Sequence, residues 1–254
     1  MTHPRTEARR QKAARRALAR GAAYRLLSQA LVYPSVEAVQ ALRESDVPQA
    51  VEFSELLSRR VTPLLAALNE HLQATDAVQL AAQHRRLFSH VIATDCPPCE
   101  TFYTARHVFQ ETEDLSDISG FFRAFGLEMA ENERLDHISV ELEFVHILAT
   151  KEAYALTHHG SAKARFCRET QRKFMADHVG RWATLFARQL GQKAKGGYYG
   201  CVASLLAAFL QAEMEFLRVK PDEGLASQQW RQLAQEDLSC PLAEQGPLGV
   251  GTCE

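Results

Sequence analysis

The sequence predicts an all-α protein: a single globular multi-helix bundle with a mobile C-terminal tail. Two observations carry this. Apolar residues recur at three- and four-residue steps along most of the chain, the spacing that collects them on one face of a helix. Runs that alternate apolar and polar residues between turn signals, the mark of half-buried strands, do not occur in number. With 254 residues, 46% hydrophobic and 24% charged, the chain can bury a full core and has ordinary globular composition, so one domain over 1–235 is expected.

The first helix is expected over 10–33, where Ala14, Leu18, Ala22, Leu26, Leu27 and Leu31 repeat at helical spacing and Pro34 stops the run. Further helices are expected over 49–73, 76–91, 100–111, 114–125, 137–158, 161–190, 197–218 and 223–235. Breaks fall where Pro and Gly gather: "YPS" at 33–35, "CPP" at 96–98, "GLEMAENER" at 126–134 and "GQKAKGG" at 191–197. If the domain has a subdomain hinge, 126–134 is its place. Residues 236–254 hold two Pro and three Gly with little apolar periodicity and read as a flexible, cysteine-bearing tail.

Charge is uneven. Residues 1–25 carry eight Arg or Lys against the single acid Glu7, which leaves 21 basic and 30 acidic residues for the body, a balance of about −9. Such a body argues against a nucleic-acid binder, which must neutralise phosphates, and suits a basic partner. The arginine pairs Arg9-Arg10 and Arg15-Arg16 are followed by a stretch that Arg20 and Arg25 interrupt, so the N-terminus reads as an amphipathic helix rather than a secretion signal; an organelle presequence is the lesser reading. No uninterrupted stretch approaches the roughly 18 apolar residues that span a bilayer. A soluble cytoplasmic protein with no stable membrane insertion is expected. Its six cysteines then read mostly as thiols rather than a disulfide framework.

Two stretches carry unusual side chains. In "RLDHISVELEFVHIL", 134–148, Asp136 has the residue type of a helix N-cap, ahead of an apolar stripe of Ile138, Leu142, Val145 and Leu148. The same stretch holds Glu143 and His146 at di-iron spacing, but such a site needs two of these steps and two more carboxylates. In "TDCPPCET", 94–101, Cys96 and Cys99 suit metal or thiol chemistry only with further ligands, and the available ones are Cys240 and Cys253 in the tail. The alternative is a rigid turn, with Pro97 and Pro98 ending one helix and Glu100 opening the next. Phosphate-loop, dinucleotide, nucleophile-elbow and His-Glu-x-x-His signatures are absent, so an enzyme is not expected.

Taken in order, "YRLLSQALVYP", "HRRLFSH", "CPPCETFY", "FFRAFGL", "LDHISVELEF" and "FMADHVGRW" resemble the successive motifs of the TorD/DmsD/NarJ group of molybdoenzyme maturation chaperones, from residue 24 to 182. The resemblance implies an all-helical cytoplasmic chaperone without a cofactor, monomeric or homodimeric. Its partner would be the precursor catalytic subunit of a molybdenum enzyme, often bound through a twin-arginine signal peptide and held until molybdopterin is inserted. The family's peptide-binding motifs map onto Leu87 and Phe88, onto Pro97, Pro98 and Glu100, and onto Asp136 and His137. Cys99 departs from the family, which has an aromatic residue there.

On that reading, Asp95, Glu100 and Asp136 offer carboxylates to arginine, while Leu87, Phe88 and either Phe102 or Tyr103 line an apolar groove. His137 either tunes affinity by changing charge near neutral pH or donates to a neighbouring loop. Two other classes stay open: a metal or redox protein using Cys96, Cys99, Cys240 and Cys253, and a structural subunit of a respiratory complex.

Overall fold

The computed structural model describes residues 4–45, 55–88, 96–105, 108–128 and 134–221. Among them there is no strand, only an isolated antiparallel bridge between Cys99 and His137. The helices are α1 (Pro4–Leu31), α2 (Val36–Arg43), α3 (Glu55–Ala74), α4 (Ala77–Phe88), α5 (Thr101–Thr104), α6 (Val108–Ala124), α7 (Ile138–Tyr154), α8 (Ser161–Phe174), α9 (Gly180–Ala194) and α10 (Gly197–Leu217). A π-helical turn, Ala155–His159, follows α7, and a second, Met175–Val179, joins α8 to α9. The expected helix over 223–235 and the tail, with Cys240 and Cys253, lie outside the described residues, as do residues 129–133 of the suggested hinge.

Three departures from the sequence reading have local causes. Helix α2 was not expected after Pro34, yet Ser35 caps it by accepting the Ala38 N–H at 3.1 Å, and Val39 and Leu42 bury its inner face. The helix expected over 100–111 stops at Thr104, because Ala105 is extended, and 108–124 then runs as one helix rather than two. The single helix expected over 161–190 contains the π-turn 175–179.

Helix α1 lies along α7, and α10 packs against α9, α3 and α1. The buried face of α1 runs through Ala17, Tyr24, Leu27 and Leu31, whereas Leu18 of the expected stripe is half exposed. Gly21 lets the two helices close: a Cβ there would lie 3.2 Å from Thr150 Oγ1, and the Gly21 carbonyl sits 2.8 Å from His146 Nδ1. His146 therefore ties α7 to α1 instead of joining Glu143 in a metal site. Helix α10 is long and apolar enough, by length and composition, to cross a bilayer, a match that a search for uninterrupted apolar runs passes over. Here its apolar residues Val202, Leu206, Phe209 and Leu210 are buried in the core.

A buried ionic cluster crosses this core. Arg20 of α1 is fully buried and grips Glu213 of α10 bidentately, with Nε–Oε1 at 2.7 Å and Nη2–Oε2 at 2.6 Å. Its Nη2 also donates to Gln171 of α8 at 2.7 Å, and its Nη1 lies 3.5 Å from Glu152 of α7. Gln171 in turn donates to Glu152 at 2.9 Å, and Arg168 pairs with the same carboxylate. The Arg20 guanidinium sits over the Phe216 ring, 4.4 Å from its centre. Removing the cation alone strands the buried Glu213 carboxylate and takes one of three partners from Glu152. Arg20→Met is therefore expected to lower stability by about 3–5 kcal/mol, read from urea unfolding. A variant that unfolds like the wild type would show that the cluster is not what holds α1.

Candidate functional site

The two unusual stretches meet. The Ile138 N–H donates to the Pro98 carbonyl at 2.8 Å and the Glu100 N–H to the Asp136 carbonyl at 2.9 Å, so Cys99 and His137 face each other in the antiparallel bridge. The proline-rich turn is thereby fastened to the entry of α7. Pro97 is buried and Pro98 half-buried.

Asp136 does not cap α7. His137 does, its Nδ1 accepting the Ser139 N–H at 3.2 Å. The Asp136 carboxylate turns the other way and caps α5, accepting from Thr101 N at 3.2 Å and Thr101 Oγ1 at 2.7 Å. Arg134 completes it, with Nε 2.9 Å from Oδ1 and Nη2 3.1 Å from Oδ2. Burial opposes the Asp136 charge, but the hydrogen bonds from Arg134 and Thr101 overcome it and hold the carboxyl below its usual range. The Arg134 side chain is itself 46% exposed; it reaches Glu111 at 3.1 Å and lies over the Phe102 ring, 5.8 Å from the centre.

Glu100 is also buried. One carboxyl oxygen lies 3.1 Å from His178 Nδ1, and the other 3.9 Å from Arg181 Nη1. His178 Nε2 reaches Asp117 of α6 at 3.2 Å. Glu141 of α7 accepts the Trp182 indole N–H at 3.1 Å, and burial, then the charge of Glu100, raises its carboxyl well above the ordinary range. The neutral Glu141 acid can then donate to Glu100.

Of the residues expected to line an apolar groove, Leu87, Phe88 and Tyr103 are buried. Leu87 and Phe88 sit at the end of α4, Phe88 stacking on Phe186 and meeting Tyr199 edge-on. Tyr103 stacks on Trp182 and donates to Gln189 at 2.9 Å. Of the two aromatic residues weighed for the groove, Phe102 is the exposed one, at 53%, and Phe109 beyond it is 80% exposed. Asp95 lies outside the described residues.

Cys96 and Cys99 are buried without a disulfide between them. Burial pushes the Cys99 thiol up to about 12, away from nucleophilic or metal-binding thiolate. Among the described residues no three His, Cys, Asp or Glu side chains converge as a metal site. His137 does not change charge near neutral pH, as one reading of the sequence proposed. Burial pushes it down to about 4, against the pull of Asp136, and burial brings His84 to about 4 as well.

Arg134, Asp117 and His178 were not singled out from the sequence. The signal for His178 was present in "FMADHVGRW", but nothing local links that helix to Glu100, 78 residues earlier.

Asp136→Ala is expected to cost about 1–3 kcal/mol in urea unfolding, since α5 loses its cap while half-exposed Arg134 returns to water. Because its carboxyl is lowered, the contribution of Asp136 is complete above its ordinary value of 3.8 and is lost as pH falls through the lower folded value. His84 and His137 act in a different window. They stay neutral in the fold while the unfolded chain protonates near 6.5, so their contribution shrinks as pH drops from 6.5 toward about 4. His137→Asn keeps a capping side chain and should flatten part of that slope, measured as urea midpoints between pH 7 and 5; an unchanged slope would remove His137 from it.

The comparisons with known proteins fit this geometry. The family model described as nitrate reductase delta subunit matches residues 54–188, over half of the chain, and that span includes both fastened stretches and His178. The chain is 28% identical over 214 residues to the perchlorate reductase assembly chaperone protein of Dechloromonas aromatica, covering 79% of this chain and 90% of that one. It is 27% identical over 169 residues to the chaperone protein TorD of Vibrio parahaemolyticus, covering 65% of this chain and 76% of that one. A TorD chaperone of Photobacterium profundum is 26% identical over 154 residues, 59% of this chain and 70% of that one. By the family match across its central helices, this chain belongs to the nitrate reductase delta subunit family, the NarJ/TorD group of assembly chaperones.

Proposed function

We propose that this protein is a cytoplasmic maturation chaperone, not an enzyme, that holds the apo catalytic subunit of a molybdenum enzyme for cofactor insertion. We further propose that it reads the arginine-bearing signal segment of that precursor. The relatives support the first part, being named as assembly chaperones for perchlorate reductase or as TorD chaperones.

The observation that carries the second part is the setting of Arg134. Its guanidinium lies over the exposed Phe102 ring and against Glu111, with Phe109 exposed on the same helix as Glu111 and Asp117. A face that seats one guanidinium between an aromatic ring and a carboxylate suits a second one, and the aromatics suit the apolar residues that follow arginines in a signal segment. In this reading the motif residues Glu100 and Asp136, fully buried, support the face from behind, and the partly exposed carboxylates Glu111 and Asp117 meet the client.

The test is capture of the precursor by the tagged full chain from its native cells, with bound proteins and metals identified together. Capture of a signal-bearing molybdoenzyme precursor with little molybdenum is expected. Changing Phe102→Asp together with Phe109→Asp should reduce capture at least about tenfold, with an unchanged melting temperature because both side chains are exposed. Unchanged capture would move the site elsewhere. Recovery with the finished, cofactor-loaded enzyme would favour a structural subunit, and stoichiometric zinc or iron on the lone chain would favour the cysteine reading.

A further inference from the structure

The docking face rests on a turn whose anchoring acid, Glu100, is held by groups from three other elements. His178 comes from the π-turn between α8 and α9, a kind of helix defect that recurs at functional sites. It is buried between Phe121 of α6 and Phe174 of α8, with ring centroids 5.5 and 4.9 Å away. Each ring nitrogen meets a carboxylate: Nδ1 meets Glu100 of the turn, and Nε2 meets Asp117 of α6, which is 57% exposed. An imidazole with an acceptor at both nitrogens satisfies both only when both carry hydrogen.

The defect has its own support. Gly180 follows the π-turn, and a Cβ there would lie 2.4 Å from the Met175 carbonyl oxygen and 2.5 Å from Pro221 Cγ. Only glycine fits between the π-turn and Pro221.

We propose that His178 is a positioning residue for client docking: carrying both protons, it clasps Glu100 to Asp117 and so holds the proline turn and α6 in the register that presents the docking face. The proposal rests on the docking reading above.

The other charged groups around the clasp are few. Arg181 of α9 lies 3.9 Å from Glu100 and donates to the Asp177 carbonyl at 3.1 Å. Lys173 of α8 lies over the Phe121 ring and 3.8 Å from the Asp177 carboxylate. Glu141 of α7 adjoins Glu100.

Burial disfavours the charged imidazole, but the hydrogen bond and charge of Glu100, then those of Asp117, outweigh it and raise His178 above the ordinary 6.5. A raised histidine contributes fully below 6.5 and loses its contribution as pH rises through the folded value. Glu141, also raised, acts in the same direction, since its ionisation sets a second negative charge beside Glu100. The clasp therefore loosens as pH rises through the folded value of His178, above 6.5.

The experiment follows single-amide hydrogen exchange of the full chain between pH 6 and 9, corrected for intrinsic rates, reading the Glu100 and Ile138 N–H groups that fasten the turn. Alongside it runs binding of a synthetic peptide bearing two consecutive arginines and a leucine-rich segment. In the wild type, protection of both amides and peptide affinity should fall together as pH rises. His178→Gln should speed exchange of these amides at least about tenfold at low pH, abolish the pH response, and leave the amides of α1 and α10 protected. Should His178→Gln fail to fold, Asp117→Asn should shift the pH response of the two amides to lower pH, the amides being the readout because Asp117 is itself on the docking face.

Amides and affinity that ignore both substitutions would overturn the proposal. A clasp that responds while peptide affinity stays constant with pH would overturn its link to docking. No peptide binding at any pH would overturn the docking reading, and with it the positioning role, even if the amides respond.

Discussion

The fold depends on a buried cation. Arg20 lies in the middle of α1 with no exposure, and its partners come from α7, α8 and α10. Burying a guanidinium and two carboxylates costs desolvation that their attraction only partly offsets, so such a cluster is weak evidence for stability in itself. What it supplies is selectivity among packings. A one-residue slip of α1 would leave Glu213 and Glu152 without Arg20, an error that an all-apolar seam would tolerate far better. With α1 set in register, Gly21 meets α7 closely enough for His146 to reach its carbonyl, and the entry of α7 is carried to the proline turn.

The same economy of charge shapes the site. The motif carboxylates look from sequence like open ligands for a basic client, yet Asp136 holds Arg134 and caps α5, and Glu100 holds His178. Both are fully buried. Their chemistry is to fasten the proline turn, α5 and the entry of α7 to one another and to the helices behind them. In the proposed docking reading, contact with a partner falls to the exposed and partly exposed groups in front: Phe102, Phe109, Glu111 and Asp117. Held rigid from behind, these groups lose little conformational freedom on binding, which favours affinity for a short extended segment.

The sequence alone determined the helical class, most helix positions and the two stretches that matter, because helical periodicity, proline stops and unusual local composition are properties of neighbouring residues. It missed α2, although Ser35 followed by Val39 and Leu42 was a readable cap and stripe. It assigned Asp136 to the wrong helix, since a capping residue type shows that some N–H will be met but not which one. It gave Leu18 to the buried stripe in place of a face centred on Arg20, because no local rule marks an arginine as core.

Tertiary structure decided everything that joins distant residues. The pairing of Glu100 with His178 spans 78 positions and that of Arg20 with Glu213 spans 193. Charge type and spacing within one helix carry no information about which buried acid faces which base; that follows from how the helices pack. The direction of titration of His137 and His178 is settled the same way. Both are histidines of identical intrinsic chemistry; at one, burial outweighs the pull of Asp136, while the other lies between two carboxylates that outweigh burial.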